Sequence, residues 1–295
     1  MSSKYLNVNG ISICYEQFGE ENKECILLIS GLGSQMVRWN LDFCQKLVNK
    51  GFRVIRFDNR DAGKSTFIEQ KVSDVGQLMQ LLRQGKIPEN AYSLLDMAKD
   101  AIGLLDALKI KKAHIVGRSM GGIIAQVLAA EFPERVLSAT IIMSTSLNPE
   151  LPQTAPDVME MMMQKVPDFK TDKEAFRENR LKFAKRISGS LILFDEEAEW
   201  QTLIEENQRA AQAQTLGHIT AMILTGFNAE RFDKIKAPTL IIHGTEDPIF
   251  PVASGEDLHI RIKGSKFLKI EGMGHEIPML LNDKIVNAIS DLARI

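Results

Sequence analysis

The stretch Ala113-His114-Ile115-Val116-Gly117-Arg118-Ser119-Met120-Gly121-Gly122-Ile123 decides how the rest of the chain is read. An apolar, strand-like run, His114 to Val116, leads into Gly117-Arg118-Ser119-Met120-Gly121-Gly122, and a helical run, Ile123 to Phe132, follows. This is G-x-S-x-G in a strand, turn and helix setting, the context in which a serine hydroxyl is thrust above a sheet. A side chain at Gly117 or Gly121 is expected to collide with the neighbouring helix or strand, because the turn is tight and strained. The helix after Ser119 points its N-terminus at the hydroxyl, so the Met120 amide and the helix dipole can stabilise a developing oxyanion.

Working outward, short apolar runs rich in β-branched residues recur at Ile11 to Tyr15, Cys25 to Ile29, Phe52 to Phe57, Ala113 to Val116, Ser138 to Met143, Leu240 to His243 and Phe267 to Ile270. Helical patterns lie between them. Leu94 to Leu108 is the clearest, with Leu94, Met97, Ala98, Ala101, Leu104, Leu105 and Leu108 at three- and four-residue spacings. Strands alternating with helices predict an α/β fold with a mostly parallel central sheet and helices on both faces.

After Pro149 the strand rhythm stops, and Pro149, Pro152, Pro156 and Pro167 punctuate a segment that reads as helices. Strand rhythm resumes at Thr239. The expected organisation is therefore a core of residues 1–146 and 232–295 with a helical cap over 147–231. A smaller helical excursion, Val75 to Gly85, is expected at the same rim.

A serine nucleophile needs a base, and the chain has five histidines: His114, His218, His243, His259 and His275. Glu271-Gly272-Met273-Gly274-His275 puts the last on a glycine-rich loop just after the final strand, above the carboxyl edge of the sheet. His114 lies inside an apolar strand, His259 in a helical run, and His243 immediately before the acid loop, so all three read as structural. The imidazole needs a carboxylate, and His243-Gly244-Thr245-Glu246-Asp247-Pro248 supplies Asp247 at the end of the penultimate strand, with Glu246 as competitor. Ser119, Asp247, His275 is then a Ser, Asp, His chain order. The second oxyanion donor is expected from Ser30-Gly31-Leu32-Gly33-Ser34, as the Leu32 backbone N–H paired with that of Met120.

Composition removes other classes. Across 295 residues, Lys plus Arg number 36 against 38 Asp plus Glu, so no basic surplus signals nucleic acid. Met1 to Gly10 has one lysine and no apolar run of signal-peptide length, and no run approaches the ~20 residues that span a bilayer. Three cysteines without a C-x-x-C pair argue against a disulfide framework or thiolate metal site. A cytoplasmic protein without membrane partner, metal or cofactor is expected, with a homo-oligomer left open. Asp58 to Ser65 ends like a phosphate loop, but Asp58 stands where the first glycine belongs. Arg60 is instead expected in a buried turn, held by carboxylates and backbone carbonyls.

Taken together, Ser30 to Gly33, Arg56 to Ser65, Gly117 to Gly122, His243 to Pro251 and Gly272 to His275 resemble the α/β-hydrolase superfamily over nearly the whole chain. Within it the chain is most similar to the aclacinomycin methylesterase-like carboxylesterases. The likeness rests on Gly31-Leu32-Gly33 leading to Trp39, Phe57-Asp58-Asn59-Arg60-Asp61, Asp247-Pro248-Ile249 with Gly272-Met273-Gly274-His275, and the segments Lys185 to Ser188 and Phe194 to Glu196. The resemblance implies a cofactor-free serine esterase whose small-molecule substrate is a bulky, mostly apolar ester. A carbon–carbon bond hydrolase, an aminopeptidase, a cofactor-free perhydrolase and a ligand-sensing receptor are alternatives on the same triad or fold.

Two residues depart from the family pattern. Ser30 stands where many relatives carry histidine, and Arg118 where an uncharged residue is usual; an acid from Glu196 to Glu206 is the expected partner of Arg118. Among 13 methionines, Met120, Met143, Met159, Met161, Met162, Met163, Met222 and Met273 are expected near the site.

Overall fold

The structure is a computed structural model that describes residues 3–210 and 215–295. Met1, Ser2 and residues 211–214, the last within the expected cap, lie outside the described residues. The sheet comprises β1 (Lys4–Val8), β2 (Ile11–Phe18), β3 (Glu24–Ile29), β4 (Phe52–Phe57), β5 (Ala113–Arg118), β6 (Val136–Ile142), β7 (Thr239–Gly244) and β8 (Lys266–Ile270). Its order is β1-β2-β4-β3-β5-β6-β7-β8. β1 pairs antiparallel with β2, and β2 antiparallel with β4; every pairing from β4 through β3 to β8 is parallel. The seven apolar runs seen in the sequence fall in these strands, except that Ser138 to Met143 runs one residue past the end of β6. β1 is the addition, an edge strand whose outer residues are exposed, so it carries no apolar run to betray it.

Both sheet faces are covered, as continuous apolar strands require. In β3, Cys25, Leu27 and Ile29 pack into one apolar cluster while Ile26 and Leu28 pack into the other, the two-residue alternation of a pleated strand. One face carries helices α1 (Leu41–Asn49) and α11 (Asn282–Ala293), through Phe43, Cys44, Leu47, Ile285, Val286 and Ile289. The other carries α3 (Leu94–Ala107) and α4 (Met120–Glu131). The helix expected over Leu94 to Leu108 is α3, with Leu108 as its C-cap. Ser93 and Asp96 close a capping box at its N-terminus and so fix where it starts. The excursion at residue 75 is α2 (Val75–Arg83).

Between β6 and β7 the chain forms α5 (Pro156–Met163), α6 (Lys173–Ile187), α7 (Glu196–Arg209), α8 (Thr215–Thr225) and α9 (Ala229–Lys234), and α10 (Ala253–Arg261) follows β7. Phe176, Leu181, Trp200 and Leu203 give α6 and α7 a small apolar core of their own. Residue 231, the last of the expected cap, falls inside α9, and the neighbouring Phe232 packs into the main core. Met159, Met162 and Met163 are exposed on α5, whereas Met120, Met143 and Met273 are buried. Among the described residues, no helix is long and apolar enough to cross a membrane.

The segment Asp58 to Ser65 is a buried turn of carboxylates with fixed partners. Asp58 accepts the Met36 and Lys64 amides at 2.7 and 2.9 Å and pairs with Arg209 at 2.7 Å. Arg60 forks onto Asp100 at 2.7 and 2.8 Å beneath the Tyr92 ring. Among the described residues its side chain meets one carboxylate, through Nε and one terminal nitrogen, and no backbone carbonyl. Asp100 is 2% exposed, so truncating it leaves a nearly buried guanidinium without its counter-charge. Asp100→Ala is expected to lower stability by ~3 kcal/mol or more in urea unfolding, far above the ~0–1 kcal/mol of a surface pair.

Candidate active site

Ser119 has φ 55° and ψ −125°, a conformation that non-glycine residues rarely adopt. Backbone packing holds it there. A Cβ on Gly117 would strike the Gly121 carbonyl, and one on Gly121 would strike the Ile29 and Ser30 carbonyls, so neither position accommodates a side chain. The Ser119 amide donates to the Ile142 carbonyl at 2.9 Å, and the Ser144 hydroxyl donates to the Ser119 carbonyl at 2.8 Å. The elbow is thus clamped between β3 and β6.

His275 and Asp247 converge on Ser119 from loops 156 and 28 residues away in sequence from each partner in turn. The Ser119 hydroxyl lies 3.0 Å from His275 Nε2, and His275 Nδ1 lies 2.7 Å from Asp247 Oδ2. A neutral imidazole with its proton on Nδ1 satisfies both contacts, donating to the carboxylate and accepting from the hydroxyl. Asp247 Oδ1 accepts the Ile249 and Phe250 amides, each at 2.9 Å, so the loop after β7 aims the other oxygen at the imidazole. Burial alone would raise the Asp247 carboxyl, but the two histidines packed against it, His275 at 2.7 Å and His243 at 3.4 Å, outweigh it. The carboxyl is held well below the usual carboxylate range.

Ser30 to Ser34 lies directly against Ser119: a Cβ on Gly31 would stand 3.0 Å from the Ser119 Cβ. Among the described residues, the Leu32 N–H has no protein acceptor. Met120 opens α4, where the first N–H groups have no intrahelical partner. Both amides are therefore free to serve a ligand oxygen.

The other candidates have other partners. Glu246 accepts the Ser190 amide and hydroxyl at 2.8 and 2.7 Å and does not meet His275. His243 Nε2 donates to the Phe250 carbonyl at 2.7 Å and stands 3.4 Å behind Asp247, supporting the acid. His114 and His259 bond the hydroxyls of Ser138 and Ser265. Among the described residues there is no cluster of three or more His, Cys, Asp or Glu that could hold a metal ion.

The expected acidic partner of Arg118 serves a different arginine. Glu199 and Glu206 clamp Arg38, with closest contacts of 2.8 and 2.7 Å. Arg38 lies on the turn that follows the Ser30 to Ser34 loop and reaches α7 first. Arg118 keeps a 3.4 Å contact to the Arg38 carbonyl and a place over the Trp39 ring. Enclosure and the like charge of Arg38, opposed by Glu276, Glu206 and Glu199, bring its pKa down to about 10.

Several site residues carry no signal in the sequence. His218 on α8 bonds the Gly33 amide and the Arg60 carbonyl, partners 185 and 158 residues away. Ile187, the last residue of α6, and its C-cap Ser188 accept the amides of His275 and Gly274 at 2.7 and 3.1 Å and so clamp the histidine loop. No spacing rule links such distant groups. The one available hint was that His218 is a histidine left without a strand or loop role.

This fold and site define a class. The chain belongs to the alpha/beta hydrolase fold family, whose model matches residues 24–280. Among particular relatives, it is 24% identical to a rhodomycin D methylesterase of Streptomyces peucetius, covering 98% of this chain and 97% of that one. It superposes on the meta-cleavage product hydrolase of Pseudomonas fluorescens with a TM-score of 0.73 at 21% identity, covering 99% of this chain and 97% of that one. An enol-lactonase of Burkholderia xenovorans gives 0.72 at 20%, covering 99% and 100%. These two structures share the fold.

Two expectations follow from the charges. Arg38→Leu strands Glu199 and Glu206 and should cost ~3 kcal/mol or more, whereas Arg118→Leu removes an enclosed charge that has no ion pair among the described residues and should leave the unfolding midpoint unchanged or raised. Denaturation of the two variants side by side checks the contrast. Because the folded Asp247 carboxyl lies below its unfolded value of ~3.9, it contributes stability above that pH, and the contribution fades as pH falls through and below it. Asp247→Asn should therefore flatten the fall of the urea midpoint between about pH 5 and pH 3; equal slopes in the two proteins would contradict the depressed carboxyl.

Proposed function

We propose that the protein is a serine hydrolase that cleaves a carboxylic ester through Ser119, His275 and Asp247, with an acyl-enzyme intermediate. The reading rests on the unbroken relay in which Ser119 Oγ lies 3.0 Å from His275 Nε2 and His275 Nδ1 2.7 Å from Asp247 Oδ2. Similarity to a methylesterase over 98% of the chain supports an ester as the bond broken.

In the first half-reaction, the Ser119 oxygen attacks the ester carbonyl carbon as its proton passes to His275 Nε2. The carbonyl oxygen becomes an oxyanion and accepts the Leu32 and Met120 N–H groups. Collapse of the tetrahedral intermediate breaks the carbon–oxygen bond to the alcohol, which leaves with the proton from His275. Water then attacks the acyl-serine, again giving its proton to His275, and the carboxylic acid departs as Ser119 recovers its hydrogen. Asp247, kept ionised, holds the Nδ1–H tautomer and stabilises the imidazolium formed in each half. No step requires a metal or cofactor.

The residues of 147–231 form a cap over this machinery in the same reading, and the substrate is a small molecule with a bulky, mostly apolar body. Met120, Met143 and Met273 are packed into the apolar clusters beneath this machinery and support it from within.

A fluorophosphonate should label Ser119 alone, and Ser119→Ala should abolish labelling and lower turnover of p-nitrophenyl esters by about 10⁴-fold or more. Undiminished turnover in Ser119→Ala would refute the assignment. A panel varying acyl and alcohol groups separately then defines the substrate.

A further inference from the structure

His218 lies on α8 and is completely buried, yet neither ring nitrogen bonds within its own helix. The Gly33 N–H donates to Nδ1 at 3.0 Å, so Nδ1 carries no proton. Nε2 must then carry it, and it donates to the Arg60 carbonyl at 2.6 Å. These partners select one uncharged tautomer. Burial lowers its pKa, opposed by the hydrogen bond to the Arg60 carbonyl and by the Asp61 carboxylate; Arg60 and Asp61 are the charged groups that act on the ring. Arg60 is itself paired with Asp100, and Asp61 accepts the Tyr92 hydroxyl at 2.6 Å.

Gly33 directly follows Leu32 and sits at φ +65° in the turn that carries the Leu32 amide past Ser119. That turn is fastened at three points. Asn59 donates to the Ser30 carbonyl at 3.1 Å, the Ser34 amide donates to the Gly31 carbonyl at 3.2 Å, and the Gly33 amide donates to His218. The first two come from the core and from the turn itself; His218 alone comes from the helices inserted between β6 and β7. Without it the half-buried Gly33 N–H loses its protein acceptor, and the turn loses the bond that fixes its orientation.

We propose that His218 is a positioning residue for the oxyanion site: by accepting the Gly33 N–H it fixes the turn that aims the Leu32 N–H at the substrate carbonyl oxygen, so seating of α8 completes the active site. This rests on the reading of Leu32 and Met120 as oxyanion donors. The role concerns the transition state more than substrate binding, because an oxyanion exists only after attack.

Full-length variants assayed with a p-nitrophenyl ester test it. His218→Leu, which deletes both bonds, should lower kcat by about 10- to 100-fold with KM changed less than about threefold, the cost of misplacing one oxyanion donor. A trifluoromethyl ketone, which forms a tetrahedral oxyanion on the serine, should lose affinity in parallel with kcat/KM. His218→Asn places an amide oxygen where Nδ1 stands and should recover most of kcat. His218→Gln reaches the Nε2 position and leaves the Gly33 N–H unpaired, so it should recover little. Thr225→Ala removes another α8 anchor, the hydroxyl that accepts the Leu94 amide at 3.0 Å, and should leave kcat unchanged.

Unaltered kcat in His218→Leu, a rise in KM with kcat intact, or a His218→Gln variant as active as His218→Asn would each overturn the proposal. If His218→Leu does not fold, the Asn and Gln comparison decides. Wild-type protein that neither turns over esters nor takes the fluorophosphonate would refute the hydrolase reading, and this proposal with it; an active, labelled wild type with indifferent His218 variants refutes the proposal alone.

Discussion

The structure depends on one strained residue. Ser119 at φ 55° and ψ −125° is an outlier of the kind that costs ~1–3 kcal/mol and survives only where its surroundings leave no alternative. Here the alternatives are closed by backbone. Gly117 lies against Gly121, Gly121 against the end of β3, and the Ser119 peptide is bonded on one side to Ile142 and on the other to Ser144. The central strands β3, β5 and β6 are parallel neighbours, and their buried apolar side chains resist the displacement that would relax the turn. Strain at the serine is thus maintained by the packing of the sheet, and the same close approach brings the Leu32 loop within reach.

Buried charge organises what the sheet leaves loose. Asp58, Asp100 and Asp247 are each almost wholly buried, and each receives several donors. A buried carboxylate left short of donors would be expensive, so every loop that contributes one is held in a single arrangement. Asp58 fixes the Met36 turn and reaches Arg209 on α7; Asp100 fixes Arg60; Asp247 orients the imidazole. Burial pushes the Asp58 carboxyl up, with Arg209 and the two amides opposing it, while the histidines around Asp247 carry that carboxyl the other way. Similar burial has opposite outcomes because the partners differ.

The helices between β6 and β7 are bonded to each wall of the site. Arg38 meets Glu199 and Glu206 of α7, Ile187 and Ser188 at the end of α6 grip the histidine loop, and His218 of α8 grips the loop before Met36. Gly217 admits this approach: a Cβ there would strike the Asp61 carboxylate and the Tyr92 hydroxyl. Movement of these helices would therefore be felt at the histidine and at the Leu32 turn, not only at the mouth of a pocket.

What the sequence determined by itself is everything that local chemistry encodes. Short apolar runs rich in β-branched residues mark seven strands, three- and four-residue spacings mark α3, and the glycines about Ser119 mark a turn that only they can make. Asp247 and His275 were legible because each sits on a turn immediately after a strand, where the topology of a parallel sheet brings loops to one edge. The edge strand β1 escaped, since its exposed residues need no apolar pattern. Only the tertiary structure decided the partners of charged and polar side chains. Glu199 and Glu206 choose Arg38 over Arg118, and His218 bonds two loops more than 150 residues away, because such choices depend on which groups meet in space with their donors and acceptors aligned. Hydrogen-bond geometry acts over about 3 Å and has no period along the chain, so no pattern in the sequence could carry it.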